Sequence, residues 1–379
     1  MLFYIILTTL LACGDSEDIL PGCPALPGTS VGVSLVSFLP AVLGGFALLL
    51  VISLVVWRRF HRETSTLKER LLETEEEAER HRRVWEIDAD DIHLGVAIGR
   101  GAFGEVFRGT WRGMEVAIKT VQGSWMSEAE LQKELDHEAS VLQAVRHANI
   151  VQFCGAGRLW NGTPFLVTEL MEVGSLTGVL QAGPLAWATK VRFSLETARG
   201  MALVHSLGRI HRDLKSGNIL VTRGVGHTMH CKVADFGTAT LVGNAQRAIV
   251  EKGPGERLDE RVHTMRTRGV GTPLWMAPEV LSSGKYSDSV DVYSMGIVMW
   301  EMASQQEPWP DLKGPFLCNT LLELLLTGAR PPVDPAWPVG FCAVMQRCWQ
   351  TEPAARPRFA ELVDQLQDVG AYVGADELV

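Results

Sequence analysis

His211-Arg212-Asp213-Leu214-Lys215-Ser216-Gly217-Asn218 is the stretch whose reading decides the fold, and Asp235-Phe236-Gly237 follows it after a short apolar run. An Asp, an Asn five residues on and a second Asp soon after supply one proton acceptor and two oxygen ligands for a hard cation. Phosphoryl transfer from a nucleotide needs these parts, because its catalysis is mostly positioning and charge neutralisation. Either motif alone carries little weight; their order and separation carry a great deal.

Upstream, Ile98-Gly99-Arg100-Gly101-Ala102-Phe103-Gly104-Glu105-Val106 reads as strand, glycine turn, strand. Glycines let backbone approach phosphates and leave amide donors free to bind them. A lone GxGxxG also fits a dinucleotide fold, where a helix follows the turn. Here a strand follows, which favours a hairpin laid over phosphates. Val116-Ala117-Ile118-Lys119 is a short β-type run ending in a lysine, which is costly to bury unless it meets an anion. Glu130, Glu134 and Glu138 are the candidate partners for that lysine on the next helix. Glu138 is chosen because Val141, Leu142 and Val145 then continue the helix's apolar face, with Glu134 one turn earlier in reserve.

These motifs resemble those of the eukaryotic protein kinases, over residues 85–370. Gly271-Thr272-Pro273-Leu274-Trp275-Met276-Ala277-Pro278-Glu279 is similar to the end of that family's activation segment, and Asp291-Val292-Tyr293-Ser294-Met295-Gly296 to the start of its large central helix. Cys348-Trp349, Pro353 and Arg356-Pro357 resemble its closing region, where Arg356 would pair with Glu279. The resemblance implies an α+β, bilobal kinase fold, with a β-rich N-lobe and a mainly helical C-lobe, that uses ATP and Mg2+ on protein substrates. It implies catalytic roles for Asp213, Lys119, Glu138 and Lys215, and metal binding by Asn218 and Asp235. It places the nucleotide against Ile98, Gly99, Gly101, Gly104, Val106, Ala117, Lys119 and the hinge residues Thr168, Glu169 and Met171. Lys215 and Thr272 fit Ser/Thr kinases, whereas Asp291-Val292-Tyr293-Ser294 and Cys348-Trp349 look related to tyrosine kinases. That mixture is similar to the tyrosine kinase-like group and implies Ser/Thr transfer. A pseudokinase scaffold is the alternative, favoured only by a long segment between Asp235 and Glu279 with an insert over residues 243–268. Thr238, Thr240, Thr264 and Thr267 are its candidate phosphosites, and Arg212 would hold the phosphate.

The N-terminal quarter differs in kind. Residues 31–57 carry no charge and exceed the roughly 20 residues a membrane helix needs. Arg58, Arg59, His61 and Arg62 follow at once, as in a stop-transfer signal that leaves the C-terminal side cytosolic. Residues 1–14 read as a signal peptide and 15–30 as a short extracellular stub, too small to bury a core. The expected protein is therefore single-pass, type I and receptor-like, at the plasma membrane, with residues 371–379 as a tail; a soluble kinase is the competing reading. Residues 58–84 are charged and rich in helix formers, which predicts a solvated helical spacer. Leu67, Leu71, Thr74, Ala78, His81 and Trp85 would line a seam if that helix paired into a homo- or hetero-oligomer.

Among 379 residues, 46% are hydrophobic, which allows a large core. The net charge of −9 offers no basic face and argues against nucleic acid. Cys154, Cys231, Cys318, Cys342 and Cys348 stand in apolar contexts and read as reduced thiols. His227, His230 and Cys231 are read as a hairpin turn rather than a metal site.

Overall fold

The computed structural model describes residues 35–101, 104–121, 127–241, 273–283, 287–312 and 317–376. Residues 1–30, read above as a signal peptide and stub, the candidate phosphosites Thr264 and Thr267, Thr272 and the whole insert over residues 243–268 lie outside the described residues. The chain divides into two compact units, Met1–Glu79 and Arg80–Val379.

In the first unit the described residues belong to helix α1 (Leu35–Trp85). Gly44–Thr66 is a stretch of it long and apolar enough, by length and composition, to cross a membrane. Leu48, Leu49, Leu50, Ile52, Leu54, Val55, Val56 and Trp57 are all exposed, the surface a lipid solvent would cover. The sequence placed the end of the span at Trp57; the helix runs on through the arginines without a break, because no Gly or Pro interrupts the charged stretch.

In the second unit Trp85 packs edge-on against Phe153 and the Ile87 amide donates to the Ala156 carbonyl. Gly155 and Gly157 allow this lead-in to cross their strand, since a Cβ on either would collide with Ile87. An antiparallel five-stranded sheet follows, made of β1 (Ile92–Gly101), β2 (Gly104–Trp111), β3 (Met114–Val121), β4 (Phe153–Arg158) and β5 (Pro164–Glu169), in the order β1-β2-β3-β5-β4. Strand periodicity sorts β3: Val116 and Ile118 are buried with Ile92, Phe165 and Val167 in a small core, so Ala117 and Lys119 face the other way. Helix α2 (Glu128–Ala144) starts with a capping box, in which Ser127 and Glu130 satisfy each other's backbone amides. It packs on the sheet through Leu135, Ala139 and Leu142.

The C-lobe holds the larger core. Short β6 (Gly174–Ser175) leads into α3 (Leu176–Ala182), then α4 (Trp187–Ser206) and β7 (Arg209–Ile210). The hairpin β8 (Ile219–Arg223) and β9 (Met229–Val233) pairs with β6, and β10 (Thr240–Leu241) returns to β7. The β8–β9 turn contains Gly226 at φ 70, while His230 Nδ1 bonds Glu196 and Cys231 is buried, so these side chains serve the hairpin. Then come α5 (Pro278–Ser283), α6 (Ser289–Ser304), α7 (Leu317–Leu326), α8 (Val339–Cys348) and α9 (Phe359–Asp376). Residues 290–303 of α6 are all buried, as expected of a helix surrounded by others. Arg356 meets Glu279 through two parallel bonds of 2.6 and 2.9 Å, and its remaining donors reach the carbonyls of Ser289, Gln350 and Thr351.

Candidate active site

A cavity of about 510 Å³ opens between the sheet and the C-lobe. Ile98, Gly99, Gly104, Val106, Ala117, Lys119, Thr168, Glu169 and Met171 line it, with Asn218 and Asp235. Gly101 ends β1 opposite Gly104. Val106 and Ala117 from the sheet and Leu220 from β8 give the cavity an apolar slot suited to a flat base, while Lys119, Asn218 and Asp235 make one end polar. The side chain of Glu169 points elsewhere: it takes Lys232 Nζ at 2.8 Å and the Gln152 amide, leaving its backbone as the part near the cavity. The sequence gave no cavity role to Arg100, Leu142, Val151, Leu166 or Ala234, which also line the cavity; Arg100 stood unremarked inside the glycine-rich motif, and the other four are apolar residues with no spacing that marks them for it.

At the polar end, Lys119 Nζ lies 2.9 Å from both oxygens of Glu138 and 2.9 Å from Asp235 Oδ1. Of the three candidate partners, Glu130 is spent on the helix cap and the side chain of Glu134 is outside the described set, so Glu138 is the glutamate seen against the lysine. Burial alone would lower the Lys119 ammonium, but the charges of Asp235 and Glu138 outweigh it and raise it well above its ordinary value. The Lys119 charge in turn pulls Asp235 below the usual carboxylate range, against the opposing effect of burial. Asp235 sits in the left-handed region at φ 60, a strained conformation for a residue with a Cβ.

The catalytic-loop motif forms the facing wall. Lys215 Nζ is 2.7 Å from Asp213 Oδ2, and Asn218 Nδ2 donates to the same oxygen at 3.0 Å and to the Asp213 carbonyl. The Asn218 amide nitrogen is thus engaged, and its Oδ1 is the atom left to face a cation. With the half-exposed Asp235 carboxylate this makes a hard-oxygen donor set, which fits a divalent ion such as Mg2+. Arg212 has φ 68, and this turn is fixed from below by Asp291, buried in α6. Asp291 accepts from the His211 amide at 2.8 Å, the Arg212 amide at 2.9 Å and His205 Nε2 at 2.9 Å. Burial would raise the Asp291 carboxyl, but the bonds from His205 and the His211 backbone hold it below the usual range. Glu301, also buried in α6, takes Ser216 Oγ at 2.8 Å and Trp275 Nε1 at 2.6 Å; burial pushes its carboxyl up to about 7. The sequence contained Asp291 in a motif but gave no role to it, to Glu301 or to His205, since support from beneath has no local spacing.

The remaining candidates are placed as follows. Arg212 Nε donates to the Thr238 carbonyl, and the Thr238 hydroxyl donates to the His211 carbonyl, so this threonine already has a structural task. Thr240 lies in β10, where only its backbone is described.

A two-lobed domain with a charged cleft between sheet and helices is the class these features define. The family model for protein tyrosine and serine/threonine kinases matches residues 92–366, and the chain belongs to that family. Relatives include "Probable serine/threonine-protein kinase drkD" of Dictyostelium discoideum, 35% identical over 305 residues, which covers 79% of this chain and 21% of the relative. "Probable serine/threonine-protein kinase drkA" of the same organism is 34% identical over 75% of this chain and 40% of its own length. "Serine/threonine-protein kinase STY17" of Arabidopsis thaliana is 33% identical over 77% of this chain and 47% of its own length. The chain thus spans between a fifth and a half of these relatives' lengths.

Proposed function

We propose that the chain is a membrane-anchored protein serine/threonine kinase that transfers the γ-phosphate of ATP to protein hydroxyls. The observation that carries this is the meeting of Lys119, Glu138, Asp235 and Asn218 around one cavity, with Asp213 and Lys215 bonded to each other and Asp213 to Asn218. Lys119, held by Glu138, binds the α- and β-phosphates. Asp213 orients the substrate hydroxyl and takes its proton as the oxygen bonds to the γ-phosphorus and the bond to ADP breaks. Lys215 balances charge on the γ-phosphoryl group. Asn218 and Asp235 would hold Mg2+, which when bound would neutralise phosphate charge. Thr168, Glu169 and Met171 form the hinge that receives the base.

The Lys215-Ser216 pair and the relatives' names support Ser/Thr acceptors, and the mixed motifs support a tyrosine kinase-like grouping. The apolar stretch in α1 and the arginines after it support a single-pass, type I anchor at the plasma membrane, with residues 85–370 as the cytosolic kinase domain and a very short ectodomain. Phosphorylation of the segment between Asp235 and Glu279 is the proposed control, with Arg212 as its reader.

Transfer of labelled phosphate from ATP and Mg2+ to Ser-, Thr- and Tyr-containing peptides tests the activity. Transfer to Ser and Thr that is lost in Asp213→Asn supports it; equal background in both proteins makes the chain a pseudokinase scaffold. Retention in the pellet after an alkaline carbonate wash is expected of the anchored protein, and release would make it soluble.

A further inference from the structure

His137 precedes Glu138 on α2, and successive helix residues point about 100° apart. Glu138 uses its direction to reach Lys119 on β3. His137 uses the other: its Nε2 lies 2.6 Å from the carbonyl oxygen of Ala239, two residues beyond Gly237. A carbonyl only accepts, so Nε2 carries the proton. Ala239 is fully buried and is itself held from the C-lobe. Its amide donates to Phe236, the neighbouring Thr238 is tied to His211 and Arg212, and β10 pairs with β7 just after it. The imidazole therefore connects a helix of the N-lobe to a carbonyl fixed by the C-lobe.

Leu135, Ala139 and Leu142 seat α2 on the sheet, and the His137 bond adds a polar restraint on its rotation about 100° around the helix from Glu138. We propose that His137 is a positioning residue: its bond to Ala239 sets the rotation of α2 that keeps Glu138 on Lys119. The pair then assembles only while the chain after Gly237 follows the path seen here. This rests on the kinase reading above and adds a side chain that positions Glu138 against Lys119.

The test is a double-mutant cycle on the full chain, read by equilibrium binding of a fluorescent ATP analogue with Mg2+ and by kcat and KM for ATP. Gln carries an Nε2 donor as many bonds from Cβ as that of His, whereas Leu carries none. His137→Leu is expected to weaken nucleotide binding and kcat/KM by about tenfold, with His137→Gln within about threefold of wild type. In a Glu138→Ala background the same Leu substitution should cost less than about twofold, because the contact it supports is already gone. Equal losses in both backgrounds, or a loss confined to thermal stability, would overturn the proposal and leave His137 a packing residue. Should the wild type bind ATP yet transfer no phosphate, the enzymatic reading fails while the binding cycle still decides the role of His137. If it binds no nucleotide, both fall.

Discussion

The two walls of the cleft are built by different means. On the C-lobe side, buried carboxylates of one helix hold the backbone: Asp291 takes two consecutive amides of the catalytic loop, and Glu301 takes Ser216 from beneath. On the N-lobe side, three side-chain tips from three separate elements meet at the cavity wall: Glu138 is buried, Lys119 is 22% exposed and Asp235 46%. The first wall is held whether or not substrate is present. The second exists only while β3, α2 and the segment after Asp235 keep one relative placement. Kinase chemistry needs both: a fixed proton acceptor, and a phosphate clamp that can be assembled or dismantled.

The largest effects should separate the walls by kinetic parameter. Asp213→Asn removes the proton acceptor from a loop that stays in place, so kcat should fall by about 10²–10⁴ with KM for ATP little changed. Lys119→Met removes a charged hydrogen bond to the phosphates, worth about 1.5–3 kcal/mol, and should raise the ATP dissociation constant by roughly ten- to a hundredfold. Identical kinetic signatures for the two variants would break the division.

Stability should divide in the opposite sense. Asp291→Ala leaves buried donors of His211, Arg212 and His205 without an acceptor, a loss on the order of 3–5 kcal/mol. Glu138→Gln keeps an acceptor for Lys119, which also retains Asp235, so it should cost about 1–1.5 kcal/mol while still weakening ATP binding. A Glu138 variant as unstable as the Asp291 variant would show that the N-lobe wall is scaffold too.

The same contrast explains what was legible in the sequence. Lys119, Asp213, Asn218 and Asp235 stand in short motifs whose order and spacing resemble those of the kinases, and the β-branched runs and glycines around them set the strands. Glu138 was reached through helix periodicity, and Arg356 with Glu279 through the resemblance alone. Asp291, Glu301 and His205 answer to backbone atoms brought near by tertiary packing. No local pattern encodes them: His205 and Asp291 are 86 positions apart. The same holds for His137, whose partner is a carbonyl that any residue at position 239 would offer.

Glu301 sharpens the comparison through pH. Its carboxyl loses a proton near 4.5 in the unfolded chain and at about 7 in the folded one, chiefly because of burial and despite the bonds from Trp275 and Ser216. Between those values the folded state binds more protons, so this residue's contribution to stability is complete below the lower value. It declines as pH rises through the window and is flat above about 7, a total of about 3 kcal/mol. Glu301→Gln has no proton to lose there. The difference in melting temperature between wild type and variant should therefore move against the wild type from pH 4.5 to 7; a difference independent of pH would refute the assignment.

The smallest effect tests whether the N-lobe wall depends on how well α2 is formed or only on where it is held. Ser127 and Glu130 close the helix start in a reciprocal cap, exposed to solvent and two turns from Glu138. Ser127→Ala removes the side-chain half of that cap and should cost about 1 kcal/mol, while Ser127→Asp keeps an acceptor and should recover most of it. Amide exchange in the first turn of α2 should quicken in the Ala variant. Yet the helix beyond that turn is fixed by Leu135, Ala139 and Leu142 in the core and by Glu138 on Lys119, so fraying need not reach the clamp. ATP affinity is therefore expected to change by less than about twofold. A loss as large as that of His137→Leu would mean that the pair senses the integrity of the whole helix, and not its rotation alone.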